Sequence, residues 1–482
     1  MRKTLSNIIF NGLYQLLIIA IPIITVPYVA RVLGAEMLGI NSYILSICSF
    51  LSIIMNVGMT QLGTREIAQV SLDLLTIKFR QLWSIQVIVG LLTIVIYLLC
   101  VWTFLPFKYY FLLELPFLVG YLLDVSWFFL GIGEVKKVII RNSVIKLASL
   151  SFVFIFVHDK NDLWIYVLIN SLGVLLANMT FWIPMIKEFK VFNGFNFDVF
   201  RKINIKIFKT AIVLAIPQIA VQFYTSFDST IVGSISGPTQ LSYYDQSQKI
   251  ARIVLAVITS VSTIIMPKLA EFNINKSSEN EKKATKLFKT SLDYTLVISL
   301  LFSIILMTNS RVFVPWFFGE NFSPMIKNMF WVSLIIPFIS YGGAFANQYA
   351  LSKGLYREYS IPFYIGAVIS LSLNFVLVPV FHSFGGTITI IITEFAVCSL
   401  RVLLLRRYIK NSSLFSEHFK YVICAIITLL LTTGVERLHL VSLPFFEIFI
   451  LAIFSIIIYI IILIVFRTRF LKDIKFLLYR LR

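Results

Sequence analysis

Charge is scarce in this sequence: Asp, Glu, Lys and Arg make up 13% of its 482 residues, whereas a soluble domain is about one quarter charged. That shortage excludes a solvated surface over most of the chain. Cysteine is rare too, and Cys48, Cys100, Cys398 and Cys424 each fall inside an apolar run, which excludes a disulfide framework or a metal-ligand spacing. His158, His382, His418 and His439 are scattered near the ends of apolar runs, form no ligand cluster, and read as ordinary interfacial histidines. A phosphate-cradling GxxxxGK[ST] loop is lacking, which argues against direct use of ATP. No small-residue cleavage site follows the first apolar run, Ile8 to Val29, so the N-terminus is expected to be retained.

What the chain has in abundance is apolar sequence, 59% of it. A spanning helix needs about 20 largely apolar residues, and segmentation on that basis gives about fourteen spans. The fold class expected is an all-α polytopic membrane protein. The net charge of +19 fits membrane orientation better than nucleic-acid binding, because the basic residues sit in short clusters between apolar runs. With the N-terminus inside, most of the Lys and Arg fall in connections predicted to be cytoplasmic, such as Lys136, Lys137, Arg141 and Lys146. The outer side keeps few, among them Arg31, Lys108, Lys160, Arg311 and Lys327. A missed span would scramble this alternation, so an even count with both termini inside is expected.

Span counting divides the chain into a first six-span lobe (1–190), an amphipathic linker (191–209), a second six-span lobe (210–410), and two further helices with a basic tail (411–482). In the linker, Phe192, Phe195, Phe197, Phe200 and Ile203 alternate with Lys190, Arg201, Lys202 and Lys206. Lys276 to Lys289 reads as a plain solvated cytoplasmic loop. Six spans being an even number, the two lobes should enter the membrane with the same orientation, as parallel repeats with a substrate site between them. The sequence trace of that repeat is faint: a shift of about 203 positions pairs Gly34 with Gly237 and Leu38 with Leu241.

Ionisable groups inside spans are costly and tend to face cavities or partners. Asp245, Lys249 and Arg252 at i, i+4 and i+7 would form a stripe of mixed charge near the outer end of the eighth span, suited to a diphosphate; they fit equally a solvated outer loop if that span begins later, near 250. Asp228 lies on the seventh span with Tyr224 and Thr225 one turn away. Asp124 lies near the middle of the fourth, with Tyr121 and Trp127 at three-residue spacing. A carboxylate beside an aromatic ring can hold a sugar, and equally a sodium ion or a proton. Glu394 and Arg401 repeat the seven-residue spacing on the twelfth span, as a second cavity pair or a structural ion pair. Arg65 and Glu66 read as a pair at a cytoplasmic turn.

Three stretches, PYVARVLG (Pro27 to Gly34), LGTREIA (Leu62 to Ala68) and DVSWFFLGIGE (Asp124 to Glu134), resemble the Wzx-type oligosaccharide flippases. These belong to the superfamily that also holds the MATE drug exporters and the lipid II flippase. GIGE departs from the more compact ending expected there. The resemblance implies two six-helix lobes around a central cavity with two further helices. It places Arg31 at the cavity mouth, and its cargo is an undecaprenyl-diphosphate-linked oligosaccharide moved between leaflets for surface polysaccharide assembly. No catalytic residue, metal or cofactor is implied beyond a sodium or proton coupling ion. The partners implied are the lipid-linked oligosaccharide, membrane lipids and other polysaccharide-assembly proteins. A MATE-type antiporter shares the fold but should have an acidic cavity without Lys249 and Arg252. A membrane glycosyltransferase or polymerase should carry a large outer loop, and every predicted outer loop is short.

Overall fold

A computed structural model of the chain describes residues 2–191, 205–274, 277–409, 412–436 and 443–471, and all regular structure among them is helical. The linker aromatics Phe192 to Phe200 and Ile203, His439 and most of the basic tail lie outside the described residues. The chain forms two compact units, Met1–Ser242 and Tyr243–Arg482.

The first unit opens with α1 (Arg2–Asn56), two spans joined at Gly34. It continues with α2 (Met59–Ala68), α3 (Leu75–Thr103), α4 (Lys108–Leu113), α5 (Leu115–Leu122), α6 (Ser126–Gly131), α7 (Val135–Phe156), α8 (Leu163–Met179), α9 (Trp182–Lys187), α10 (Ile205–Gln222) and α11 (Asp228–Ser236). Helix α12 (Pro238–Ile274) begins in this unit and runs into the second. There it is followed by α13 (Ser278–Phe318), α14 (Met325–Val332), α15 (Ile335–Gly343), α16 (Tyr356–Arg406), α17 (His418–Glu436) and α18 (Pro444–Val465). Two wide π-helical turns interrupt the series, at Phe223–Phe227 before α11 and at Ala344–Ala350 after α15.

Among the described residues, eleven helices are long and apolar enough to cross a membrane. Two of them, containing α1 and α16, are double spans broken at Gly34 and His382, and α12 occupies the place of the eighth predicted span. Counting both double spans twice gives thirteen among the described residues, close to the expected fourteen, and α12 is not one of the eleven. The partition by packing falls later than the span-count boundary because α10 and α11 pack on α1.

Helix α3 displays the logic of a membrane span. Leu91, Leu92, Val95, Ile96 and Leu99 are exposed, while Gly90, Thr93, Tyr97 and Val101 are buried. Both faces are apolar or small, since one meets acyl chains and the other meets protein. At its end Trp102 and Phe104 stand exposed beside Lys108, whose Nζ donates to the Trp102 carbonyl at 2.7 Å, an arrangement typical of the lipid headgroup level. The core of the first unit gathers Phe79, Trp127, Phe128, Phe129 and Phe181 near the start of α3.

The faint repeat has a backbone counterpart. Gly34 adopts φ 77°, ψ 176° and Gly237 adopts φ 84°, ψ 171°, a region open essentially to glycine alone. Each ends one helical leg and starts the next, and Leu38 and Leu241, four residues beyond, are both buried.

Two expectations are corrected. The charge run after Lys276 is not a loop: Ser277 caps the first turn of α13, its hydroxyl accepting from the Asn280 amide at 3.2 Å. Glu279 and Glu281 suit the helix start, and Lys283 pairs with Glu279 at 2.6 Å one turn on. The fourth span is not one helix but three, α4 to α6, so Tyr121, Asp124 and Trp127 do not share a helical face.

Candidate functional site

In the first unit the candidate carboxylates occupy two different settings. Asp124 sits in the break between α5 and α6, where one carboxylate oxygen accepts from the Ser126 amide at 2.9 Å. Trp127 turns into the core, 1% exposed, and donates its indole N–H to Gln86 Oε1 at 3.0 Å. The Gln86 amide in turn donates to the carbonyls of Tyr121 and Asp124 at 3.0 and 2.9 Å. A fully buried glutamine therefore supplies the donors that the broken helix lacks. Asp124 is left half-buried without the indole face expected beside it.

Asp228 is 1% exposed at the start of α11, directly after the wide turn. It belongs to a polar seam between α11 and the second leg of α1, in which Ser46 and Thr230 hydroxyls meet at 2.7 Å and Tyr43 and Ser234 at 3.1 Å. Small and hydroxylated residues let membrane helices approach closely and hydrogen-bond across the contact. Gly233 packs on the Tyr43 ring and Gly39 on the Pro238 backbone. The sequence signal was the Ser and Thr spacing in NSYILSICSFLS and DSTIVGSIS. Arg31, three residues before the Gly34 break, is exposed.

In the second unit α12 is helical from Pro238 onward, so Asp245, Lys249 and Arg252 lie on a helix and not in an outer loop. Lys249 Nζ reaches Asp245 at 2.7 Å, which neutralises both, and Arg252 Nη2 donates to Gln248 at 3.3 Å. Glu394 and Arg401 on α16 are 4% and 6% exposed. Both Arg252 and Arg401 lie close enough to act on the Glu394 charge. Among the described residues Arg401 forms no direct ion pair: its Nε lacks an acceptor and its guanidinium lies 4.6 Å over the Phe363 ring. The expected Glu394 and Arg401 pair is thus buried, and the half-buried Arg252, from the α12 stripe, adds a second cation close enough to act on the same carboxylate.

Sequence reading missed two further buried groups. Glu114, at the junction of α4 and α5, is 1% exposed near Cys48 and Tyr97. Asp293 on α13 is 1% exposed, and His418 Nε2 approaches it at 3.2 Å. The available signal was a lone carboxylate within an apolar run, YFLLELPF and TSLDYTLV.

Beyond the apolar stretch of α1, Glu66 binds Lys78 at 2.6 Å and Arg65 at 3.0 Å. The Lys78 ammonium, then Arg65, holds its carboxyl below the usual carboxylate range. A depressed carboxyl adds stability that is present above the unfolded value of about 4.3 and is lost as pH falls through the folded value. Glu66→Gln is therefore expected to lower the melting temperature of the purified protein at neutral pH and to make no difference once both states are protonated.

Long apolar helices with buried charges define a multi-pass membrane protein built of two compact helical units. The chain belongs to the polysaccharide biosynthesis protein family, which it matches over residues 4–273. It is 23% identical over 421 residues to a putative O-antigen transporter of Escherichia coli (strain K12), covering 83% of this chain and 96% of that one. A putative O-antigen transporter of Shigella dysenteriae is 23% identical over 383 residues, 77% of this chain and 92% of that one. In fold the chain is similar to the lipid II flippase MurJ in its inward closed conformation, with a TM-score of 0.71, 12% identity, and coverage of 96% of this chain and 99% of that chain.

Proposed function

We propose that this protein is a flippase that carries an undecaprenyl-diphosphate-linked oligosaccharide repeat unit across the cytoplasmic membrane for surface polysaccharide assembly. The observation that carries this reading is the group formed by buried Glu394 and Arg401 with half-buried Arg252: two guanidinium groups near one carboxylate leave a net positive charge inside a membrane protein. Such a charge is stable where an anion comes to meet it. Guanidinium forks suit phosphate oxygens, and the match to a polysaccharide biosynthesis family supports a lipid diphosphate as the anion.

Sugar hydroxyls and diphosphate charges cannot pass hydrocarbon unaided. In the proposed mechanism the two lobes expose a polar path alternately to each side while the lipid tail stays in the bilayer. Asp228 or Asp124 would take up a sodium ion or proton to drive the cycle. The distribution of Lys and Arg supports placing both termini in the cytoplasm.

A deletion strain is expected to accumulate lipid-linked oligosaccharide on the inner leaflet, with drug susceptibility unchanged. Wild-type protein should clear it. Asp228→Asn and Lys249→Ala proteins, inserted normally, should clear it at least about tenfold more slowly, the rate equivalent of 1.4 kcal/mol. Altered drug susceptibility without lipid accumulation would point instead to a cation antiporter.

A further inference from the structure

The second unit contains an ionisable cluster that the proposed transport path does not use. Asp293 on α13, Tyr341 on α15 and His418 at the start of α17 meet in the interior. His418 Nε2 lies 3.2 Å from Asp293 Oδ1, and its Nδ1 lies 2.9 Å from the Tyr341 hydroxyl. Asp293 is 1% exposed and the His418 side chain 11%. The approach to Asp293 lacks hydrogen-bond alignment, and among the described residues His418 is the only cationic partner within ion-pair distance of that carboxylate.

The chemistry of the three groups is complementary in one respect. A tyrosine hydroxyl donates or accepts, so it can serve His418 Nδ1 whether or not that nitrogen carries a proton. The Nε2 side faces a carboxylate, which only accepts while ionised. The ring can therefore gain a second proton without losing a partner. With a neutral ring the trio carries one uncompensated negative charge in a low-dielectric interior, and one added proton cancels it.

Other charged and titratable groups stand around the trio, among them the Arg401 guanidinium beside Gly342, but among the described residues none of these cations is within ion-pair distance of Asp293. On α13, Lys289 and Tyr294 flank Asp293 one turn before and one residue after. On α16, Cys398 lies near Tyr341. Just before α17, Glu417 beside the histidine is occupied by Lys420 at 2.8 Å, and on α17 Tyr421 is the next buried hydroxyl, with Arg469 acting on it from the chain after α18.

We propose that Asp293, His418 and Tyr341 form a binding site for one exchangeable proton, and that its occupancy holds α17 against α13 and α15. Loss of the proton leaves a buried anion, which favours water entry and loosening of the α17 start. This site does not depend on the identity of the cargo, so it stands or falls separately from the flippase reading.

The chain has four histidines, which makes the test direct. Full-length protein labelled on its histidine rings is placed in lipid nanodiscs, and the His418 signal, assigned by its loss in His418→Gln, is followed from about pH 5 to 9 by NMR. Its ring is expected to pass between charged and neutral forms, with a midpoint that moves by about one pH unit in Asp293→Asn while the other three stay put. Hydrogen exchange at residues 418–436, corrected for the intrinsic rate, should rise across the same step in wild-type protein and not in Asp293→Asn. If Asp293→Asn does not fold, Tyr341→Phe replaces it: the His418 Nδ1 signal alone should shift. A His418 ring that keeps one form throughout, or that is indifferent to whichever of these variants folds, overturns the proposal, as does exchange at α17 that ignores pH.

Discussion

Gly39→Leu is expected to abolish accumulation of folded protein. A Cβ built on Gly39 would lie 1.8 Å from the Pro238 carbonyl oxygen and 2.3 Å from its carbon. Backbone atoms cannot rotate away as a side chain can, so the second leg of α1 and the start of α12 would have to separate. Separation would also draw apart the Ser46–Thr230 and Tyr43–Ser234 hydroxyl pairs, each left in apolar surroundings without water to replace its partner. Overpacking of this kind costs about 3 kcal/mol or more, a large fraction of the stability of a typical domain. Fluorescence-detected size-exclusion chromatography of detergent extracts would read the loss. A monodisperse Gly39→Leu protein with wild-type melting would mean that the two backbones do not touch.

The second large effect concerns the buried charge cluster. Glu394→Gln leaves Arg252 and Arg401 facing a neutral amide, and removal of one partner from a buried charged group costs about 3 kcal/mol. Arg401→Gln removes the guanidinium that stacks on Phe363 and should slow transport of the anionic cargo more than it lowers stability. The double variant returns the group to its wild-type net charge and is expected to recover much of the melting temperature lost in Glu394→Gln while remaining inactive. Strict additivity of the two single effects on stability would show that the groups do not interact.

How far the sequence could be read depended on what each residue's signal was. Apolar run length and the charge of the connections carried the helical class and the span number, because hydrocarbon tolerates few alternatives. The i, i+4 and i+7 spacing left Asp245, Lys249 and Arg252 open to a helix or an outer loop, and α12 is helical across all three. Asp124 was harder: its break between α5 and α6 is completed by Gln86, from a different helix, and no spacing within the fourth span encodes that. His418 looked like an ordinary interfacial histidine because its partners, Asp293 and Tyr341, lie 125 and 77 positions away. The solvated reading of the run after Lys276 gave weight to charge where capping mattered more. Ser277 with Glu279 and Glu281 carries a helix-start pattern that the lysines obscured.

The wide turn at Phe223–Phe227 alters how the whole seventh span must be counted. An α-helix advances about 100° per residue, and a π-helical turn advances less, so the wheel drawn for residues 205–222 slips in phase before it reaches Asp228. The side chain of Tyr224, read one turn from Asp228, lies outside the described residues. A substitution scan along this span, read for which positions accept bulk, should follow one periodicity up to Gln222 and the same periodicity, rotated, from Asp228 to Ser236.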